Sequence, residues 1–243
     1  MLADMVIVAG IDLAWSGRNP SGLCALEVDG DSVRLLELEC RIADACAVAD
    51  WLDGLGEYVL AAIDAPLIAT PERRAEAEMA RAWGSRGVFA YAARPAFLEA
   101  RGIAEGPRLG AELAARDWSL DPREITGSSR VALEVFPHAL TVALMGATRA
   151  LRYKRGPIAA RARVLDEFRL LVGGFASSAG LEGCPDLETP VAITSGLLLK
   201  AREDRLDAVA CALGALHILR EGVRDGEVFG DADHGYIVVP RRP

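Results

Sequence analysis

Four acidic residues stand at the ends of apolar stretches that lie far apart in the chain. Asp12 ends the run MVIVAGID, Asp64 ends YVLAAID, and Glu134 lies near the end of VALEVF. Asp207 opens the small-residue stretch DAVACALGAL, and Asp204 precedes it by three positions, a spacing that places both on one face of a helix. A carboxylate in apolar surroundings requires a proton, hydrogen-bond donors or a cation. The pattern therefore predicts that these acids meet at a common site.

Such a cluster predicts metal-dependent chemistry. Carboxylates without cations between them repel one another, whereas two Mg²⁺ or Mn²⁺ ions about 3.5–4 Å apart form a site that cleaves phosphodiester bonds. Mg²⁺ prefers oxygen ligands, and this chemistry requires no catalytic Ser, Cys or His. We predict a catalytic set and a metal-ligand set that adds one helix residue. The catalytic set is Asp12, Asp64, Glu134 and Asp207, and the metal ligands are these four with Asp204.

The first elements of the chain explain how two of these acids meet. Residues 5–40 predict an antiparallel meander of three strands, with a tight turn at Asp29-Gly30. Residues 42–55 have helical spacing, with Asp44 as the N-cap. A strand reached through a crossover helix is typically parallel to the first, so Asp12 and Asp64 are expected side by side at the carboxyl ends of two strands.

The later elements are predicted in outline. Residues 66–130 form an insertion between the fourth and fifth strands and carry arginines that could bind a polyanion; these are Arg73, Arg74, Arg81, Arg86, Arg94, Arg101 and Arg108. A second basic stretch spans residues 149–163. Both stretches can equally be solvated or paired with nearby acids. Helices are predicted over about 70–83, 107–117, 158–172 and 194–220, a loop over 173–188, and a last strand over 235–239.

Composition limits the class of protein. Hydrophobic residues make up 51% of 243 residues, enough for a core, and no apolar run reaches the roughly 18 residues that span a membrane. The first residues lack the features of a signal peptide, so we expect a cytoplasmic protein that does not bind a membrane. The net charge of −8 disfavours a general nucleic-acid coat protein. The five cysteines contain no C-x-x-C pair, which disfavours a zinc knuckle.

The motifs resemble a known family over nearly the whole chain. GIDLAW, IDAPL, EVFPHAL, LDAVACAL and the closing GYIVVP are similar to the RNase H-like superfamily and, more closely, to domain-of-unknown-function family 429, described as predicted nucleases. The resemblance implies one α/β domain over residues 1–243. Its sheet would be RNase H-like, mixed and five-stranded, in the order 3-2-1-4-5, with helices on both faces.

The resemblance also implies roles for individual residues. Asp12 matches the first-strand acid and Asp64 the fourth-strand acid, while Asp204 and Asp207 resemble the paired helix acids of bacterial Holliday-junction resolvases. Glu134 belongs to the narrower family pattern. These matches imply a Mg²⁺- or Mn²⁺-dependent nuclease whose partner is a nucleic acid, with RNA and DNA both open.

Simpler functions are possible for the same residues. Asp12 can be a strand-terminal cap, Asp64 can form an Asx-turn before Pro66, and Glu134 can pair with an arginine. One alternative function is therefore an inactive RNase H-like scaffold that binds a nucleic acid or a protein. A phosphotransferase related to actin and sugar kinases is disfavoured, because no glycine-rich phosphate loop follows the strands. His138 is expected to cap or pack rather than to act in catalysis.

Overall fold

The computed structural model, which describes residues 5–125, 129–192 and 195–242, contains both strands and helices. The strands are β1 (Val6–Asp12), β2 (Pro20–Asp29), β3 (Ser32–Ile42), β4 (Val59–Ile63), β5 (Arg130–Glu134), β6 (Leu181–Glu182), β7 (Val228–Asp231) and β8 (Gly235–Val238). The helices are α1 (Ala45–Gly54), α2 (Ala75–Trp83), α3 (Pro95–Glu99), α4 (Glu105–Ala115), α5 (Pro137–Ala143), α6 (Ile158–Ser178), α7 (Pro185–Glu188) and α8 (Gly196–Glu221).

The first three strands form the predicted antiparallel meander. β1 pairs with β2 from Val6↔Val28 to Asp12↔Gly22, and β2 pairs with β3. Gly30 closes the turn between β2 and β3 with a φ of 57°, a conformation that costs glycine little. The N-cap of α1 is also as predicted, since the side chain of Asp44 accepts a hydrogen bond from the Ala47 amide at 2.9 Å.

One mixed sheet places β1 at its centre. Its order is β5-β4-β1-β2-β3-β6, with β1, β4 and β5 parallel to one another. This order contains the predicted 3-2-1-4-5 arrangement, but the prediction of five strands is wrong, because the short β6 pairs with the far edge of β3. The last predicted strand, β8, instead pairs with β7 in a separate hairpin. β6 lies in the stretch predicted as a loop, where two residues give no periodic pattern.

Several helix boundaries differ from the prediction. α2 begins at Ala75 rather than at Thr70, because Arg73 turns into the interior and Thr70 donates a hydrogen bond to the His234 carbonyl at 3.1 Å. α6 continues to Ser178, past the predicted end at residue 172. The predicted start of the last helix, Thr194, lies outside the described residues. Within the described ranges, no helix is long and apolar enough to cross a membrane, and all five cysteines are free thiols.

Helices cover both faces of the sheet, and strand alternation decides which side chains meet which helices. Ile7, Ala9 and Ile11 of β1 pack in one core with residues of α1 and α4. Val8 packs in the other core, with residues of α5, α6 and α8. Asp12 follows Val8 and Gly10 in this alternation, so its side chain belongs on the α8 face.

Two glycines allow α8 to lie directly on the sheet. A Cβ atom at Gly10 would lie 2.0 Å from the Ala208 carbonyl oxygen and 2.2 Å from the Ala212 amide. A Cβ atom at Gly22 would lie 2.0 Å from the Asp204 carbonyl oxygen. These distances are far below van der Waals contact, so only glycine fits at either position. The contact brings the acidic turn of α8 beneath the carboxyl end of β1, since Gly22 pairs with Asp12.

We expect Gly10→Ala to lower the free energy of unfolding by about 3 kcal/mol, because the added methyl group forces α8 away from β1. The matched control is Gly54→Ala in α1, where a Cβ meets no atom within 4 Å. That substitution should raise the stability by up to about 1 kcal/mol. Urea denaturation followed by circular dichroism measures both. Equal stabilities for the two variants would contradict the close contact.

Candidate functional site

Asp12 and Asp64 lie at the same edge of the sheet, as parallel pairing predicts. Ile11 of β1 pairs with Ile63 of β4, and the Asp64 amide donates a hydrogen bond to the Ile11 carbonyl at 2.8 Å. Both isoleucines pack against the α1 and α4 layer, so the aspartates that follow them turn toward α8. Asp12 is buried, and Asp64 is partly buried.

Asp207 of α8 is fully buried beside two residues of the segment that precedes α6. The Tyr153 hydroxyl donates a hydrogen bond to Oδ1 of Asp207 at 2.5 Å. The ammonium of Lys154 lies 2.9 Å from Oδ2 of the same carboxylate. Apart from this ion pair, Oδ2 has no hydrogen-bond partner among the described residues. Asp207 is thus held by a hydrogen bond from Tyr153 at Oδ1 and by the charge of Lys154 at Oδ2.

Electrostatics joins Asp12, Asp64 and Asp207 into one unit around Lys154. Burial raises the pKa of Asp12 well above its usual range; Lys154 opposes this rise, and Asp207 and Asp64 add to it. Burial also raises the pKa of Asp64 to about 7, with Lys154 lowering it and Asp207 raising it. For Lys154, burial alone lowers the pKa, but Asp207 and Asp12 outweigh burial and the net pKa is well above the ordinary lysine value. The ammonium is therefore the counter-ion of the cluster.

A second lysine pairs with the neighbouring helix acid. Lys200 forms an ion pair with Asp204, one turn farther along α8, and Asp204 contributes to the raised pKa of Asp12. Lys154 and Lys200 are the only lysines among 27 basic residues of the chain, and both serve this cluster. A lysine head is a compact point charge that fits between carboxylates, unlike the broad guanidinium of arginine. The scarcity of lysine is the sequence signal for both residues, although genome base composition can produce the same bias.

Glu134 lines the same cavity as Asp12 and Asp64, but its charge interactions are with Arg73 and Glu76 rather than with the three aspartates. It is buried in a two-pronged ion pair with Arg73, at 3.0 Å from Nη1 to Oε2 and 2.5 Å from Nη2 to Oε1. Glu134 pairs in register with Ile63, so it points to the face opposite Asp64. Burial raises its pKa to about 8, against the lowering effect of Arg73. Its role as a metal ligand stays a prediction, and the observed contacts are structural: Arg73 also bonds Glu76 at 2.7 Å.

A cavity of about 820 Å³ opens beside the cluster. Asp12, Asp64, Glu134, Lys154 and His138 line it, together with aromatic side chains and two arginines; these further residues are Trp15, Phe89, Tyr91, Phe97, Phe136, Arg101 and Arg155. The volume lies in the range of sites for small ligands and single nucleotides. The acidic cluster therefore faces space that a substrate can enter.

His138 packs inside the cavity wall, as expected, but it also lies near the reactive groups. Its ring stacks on Tyr153 with centroids 5.0 Å apart. Burial lowers its pKa to about 4, and Lys154 lowers it further while Asp207 opposes this, so the imidazole is neutral at pH 7. Its buried Nδ1 has no hydrogen-bond partner among the described residues.

Some arginines of the two basic stretches form ion pairs with acidic side chains. Arg73 is buried with Glu134, Arg74 lies near Glu78 and Asp231, and Arg108 pairs with Glu105. In the second stretch, Arg161 pairs with Glu203 at 3.0 Å. Of the arginines in residues 73–108 and 149–163, all of them described, Arg101 and Arg155 line the cavity. The predicted pairing with nearby acids therefore explains four of these twelve arginines.

Comparison with known proteins places the chain in a family. Residues 10–232 match the family model described as "Protein of unknown function (DUF429)", so the chain belongs to domain-of-unknown-function family 429, as its motifs predicted. A search of curated proteins found no match. The matched range includes Asp12, Asp64, Glu134 and Asp207, but the family description assigns no activity to them.

We expect the stability of the metal-free wild-type protein, relative to that of the metal-free Asp64→Asn variant, to fall as the pH rises. An acid whose pKa is higher in the folded state than in the unfolded state stabilises the fold when protonated, and this contribution disappears as pH rises through about 7, the pKa of Asp64. Because Asp64 is partly exposed, we expect a difference of about 1 kcal/mol, or about 2–4 °C in Tm.

Thermal unfolding in EDTA at pH 5 and pH 8 measures this difference. The control is Asp50→Asn, which removes an exposed carboxylate of α1 outside the cavity. The Tm of Asp64→Asn minus that of the wild type should become more positive at pH 8, whereas the same difference for Asp50→Asn should not. A pH-independent difference for Asp64→Asn would contradict the charge coupling.

Proposed function

We propose that the chain is a metal-dependent phosphodiesterase with an RNase H-like fold that hydrolyses nucleic acid. One observation carries the proposal: Asp12, Asp64 and Asp207, from three separate elements, interact electrostatically with one another and with the ammonium of Lys154, and Asp12 and Asp64 line a cavity. Carboxylates at the carboxyl ends of parallel strands are also where open α/β sheets place their ligands. The central position of β1 and the order of five strands support the RNase H-like assignment.

The residues present fit a divalent metal ion. All three side chains offer the oxygen ligands that Mg²⁺ and Mn²⁺ prefer, and Asp207 Oδ2 accepts no hydrogen bond from the described residues. Across the described ranges, no three His, Cys, Asp or Glu side chains already surround a common cation position. We therefore propose that Lys154 withdraws from Asp207 when the metal binds. Its side chain is 35% exposed, so it can turn toward the cavity.

Each group of the site then has a role. Asp12, Asp64 and Asp207 would hold the metal, and Asp204 with Lys200 would support them from the neighbouring turn of α8. A divalent ion held there would supply activation of a water and neutralisation of charge on the phosphate. Lys154, once free of Asp207, offers its ammonium to a phosphate oxygen in the cavity. His138, neutral at pH 7, packs on Tyr153 in the wall of the cavity.

The same lysines support a second candidate function. Lys154 and Lys200 already neutralise part of the acidic charge, so the carboxylates can serve folding alone in a non-catalytic scaffold that binds nucleic acid or a protein. A scaffold of this kind has no need to bind a metal through Asp12. Metal affinity therefore distinguishes the two candidates.

We expect wild-type protein to bind Mn²⁺ in calorimetry at pH 7.5, and Asp12→Asn to weaken binding by about tenfold or more through loss of a charged ligand. Lys154→Gln should tighten binding, because the competing ammonium is gone. Asp50→Asn is the control and should bind like the wild type, and circular dichroism verifies that every variant is folded. Equal affinity of wild type and Asp12→Asn would favour the scaffold.

We also expect Mg²⁺- or Mn²⁺-dependent cleavage within a panel of DNA, RNA, hybrid and branched substrates. Asp12→Asn and Asp207→Asn should abolish it, since each removes a charged metal ligand, whereas Asp50→Asn should retain it. Gel assays with EDTA as the blank measure the reaction. Cleavage by the Asp12→Asn variant at the wild-type level would contradict the assignment of this site.

A further inference from the structure

Two exposed aromatic rings line the cavity that holds Asp12 and Asp64. Phe89 is 65% exposed and Tyr91 is 63% exposed, and both lie in the segment between α2 and α3. Large apolar side chains grouped on a surface commonly mark a binding site. Because they line the same cavity as Asp12 and Asp64, a ligand bound at the acidic cluster would also contact these rings.

The rings form a platform with cations at its margin; we define this aromatic platform as Phe89, Tyr91 and Phe97. Tyr91 stacks on Phe97, with centroids 5.9 Å apart and an angle of 25° between the ring planes. Arg101 lies over the Phe97 ring, with Cζ 3.9 Å from the centroid. Arg155, the residue after Lys154, approaches the Tyr91 hydroxyl at 3.5 Å.

The two arginines at this margin carry unmatched positive charge. Both are exposed, and within the described ranges neither forms an ion pair with an acidic side chain, in contrast to Arg73, Arg108 and Arg161. Arg101 lies over the Phe97 ring and Arg155 lies beside the Tyr91 hydroxyl, so unpaired positive charge borders the aromatic side chains of the cavity. A neutral apolar partner would leave these charges unmatched.

We propose that the aromatic platform binds the unpaired bases of a single-stranded nucleic acid. Bases stack on exposed aromatic side chains while arginines contact the phosphates, a combination typical of sites that bind single strands. Bases within a duplex have both faces covered and cannot enter a cavity of this size. A strand held on the platform extends to the edge of the sheet where Asp12 and Asp64 lie. The cleavage of that strand rests on the proposed function; its binding does not.

The test is fluorescence anisotropy with labelled oligonucleotides of twelve thymidines and with a twelve-base-pair duplex, using wild-type protein in EDTA. We expect the single strand to bind at least about tenfold more tightly than the duplex, and Phe89→Ala with Tyr91→Ala to remove that preference. The conservative pair Phe89→Tyr and Tyr91→Phe should retain it. Arg101→Gln with Arg155→Gln should weaken single-strand binding and flatten its salt dependence.

A substitution elsewhere on the surface checks that binding is specific to the platform. Leu197→Ala removes another exposed apolar side chain, 85% exposed on α8, and should change nothing. Equal affinity for both oligonucleotides, or an unchanged preference in the alanine pair, would overturn the inference. Sedimentation that shows a dimer lost in the alanine pair would overturn it too, by assigning the platform to a second copy of the chain. Mn²⁺ calorimetry on the same variants reports on the acidic cluster alone. A negative result in the oligonucleotide assay therefore does not contradict the proposed function, and a negative result in the calorimetry does not contradict binding by the platform.

Discussion

The structure depends on the contact between α8 and the centre of the sheet. Gly10 and Gly22 have no side chains, so the helix backbone at Asp204, Ala208 and Ala212 lies directly on β1 and β2. α8 is 26 residues long and also contacts β3 and β4. α8 therefore needs small residues for two reasons: the helix is buried, and its backbone lies very close to the strands. The same contact fixes where Asp204 and Asp207 can be, namely under the carboxyl end of β1.

That placement creates an electrostatic problem which the chain solves with its two lysines. Carboxylates without partners in such a buried position would be costly. Burial alone already raises the pKa of Asp12 and Asp64, which favours their protonated forms. Lys154 and Lys200 supply positive charge to the acidic turn of α8, one from the segment before α6 and one from α8 itself. Such a site is electrostatically balanced without a metal, and in the proposed function the Lys154 ammonium is the partner that leaves when a metal binds.

The parts of the fold that follow from local pattern were predictable. Apolar runs that end in Asp12 and Asp64, with a helix between them, predict parallel neighbours, and α8 is recognisable from its small-residue pattern. The acidic cluster followed from these elements. Partners supplied by irregular segments were not predictable: Tyr153 and Lys154 lie in a stretch with no periodicity, and no spacing in the sequence shows how it folds back on α8.

Glu134 illustrates the other limit of sequence analysis. Its strand is predictable, and so is pairing with some arginine, but the register of β5 against β4 decides which face it occupies. A shift of the register by one residue moves every side chain of a strand to the opposite face of the sheet. Arg73, its partner, is 61 positions away and belongs by sequence to the possible polyanion contacts, whereas burial of this pair shapes the segment before α2.

The most direct measurement is the anomalous difference density of a crystal grown or soaked with Mn²⁺. We predict a peak bounded by the carboxylates of Asp12, Asp64 and Asp207, with the Lys154 ammonium moved away from Asp207 Oδ2. The absence of a peak there at saturating Mn²⁺, with Lys154 still paired to Asp207, would contradict a metal centre in this protein.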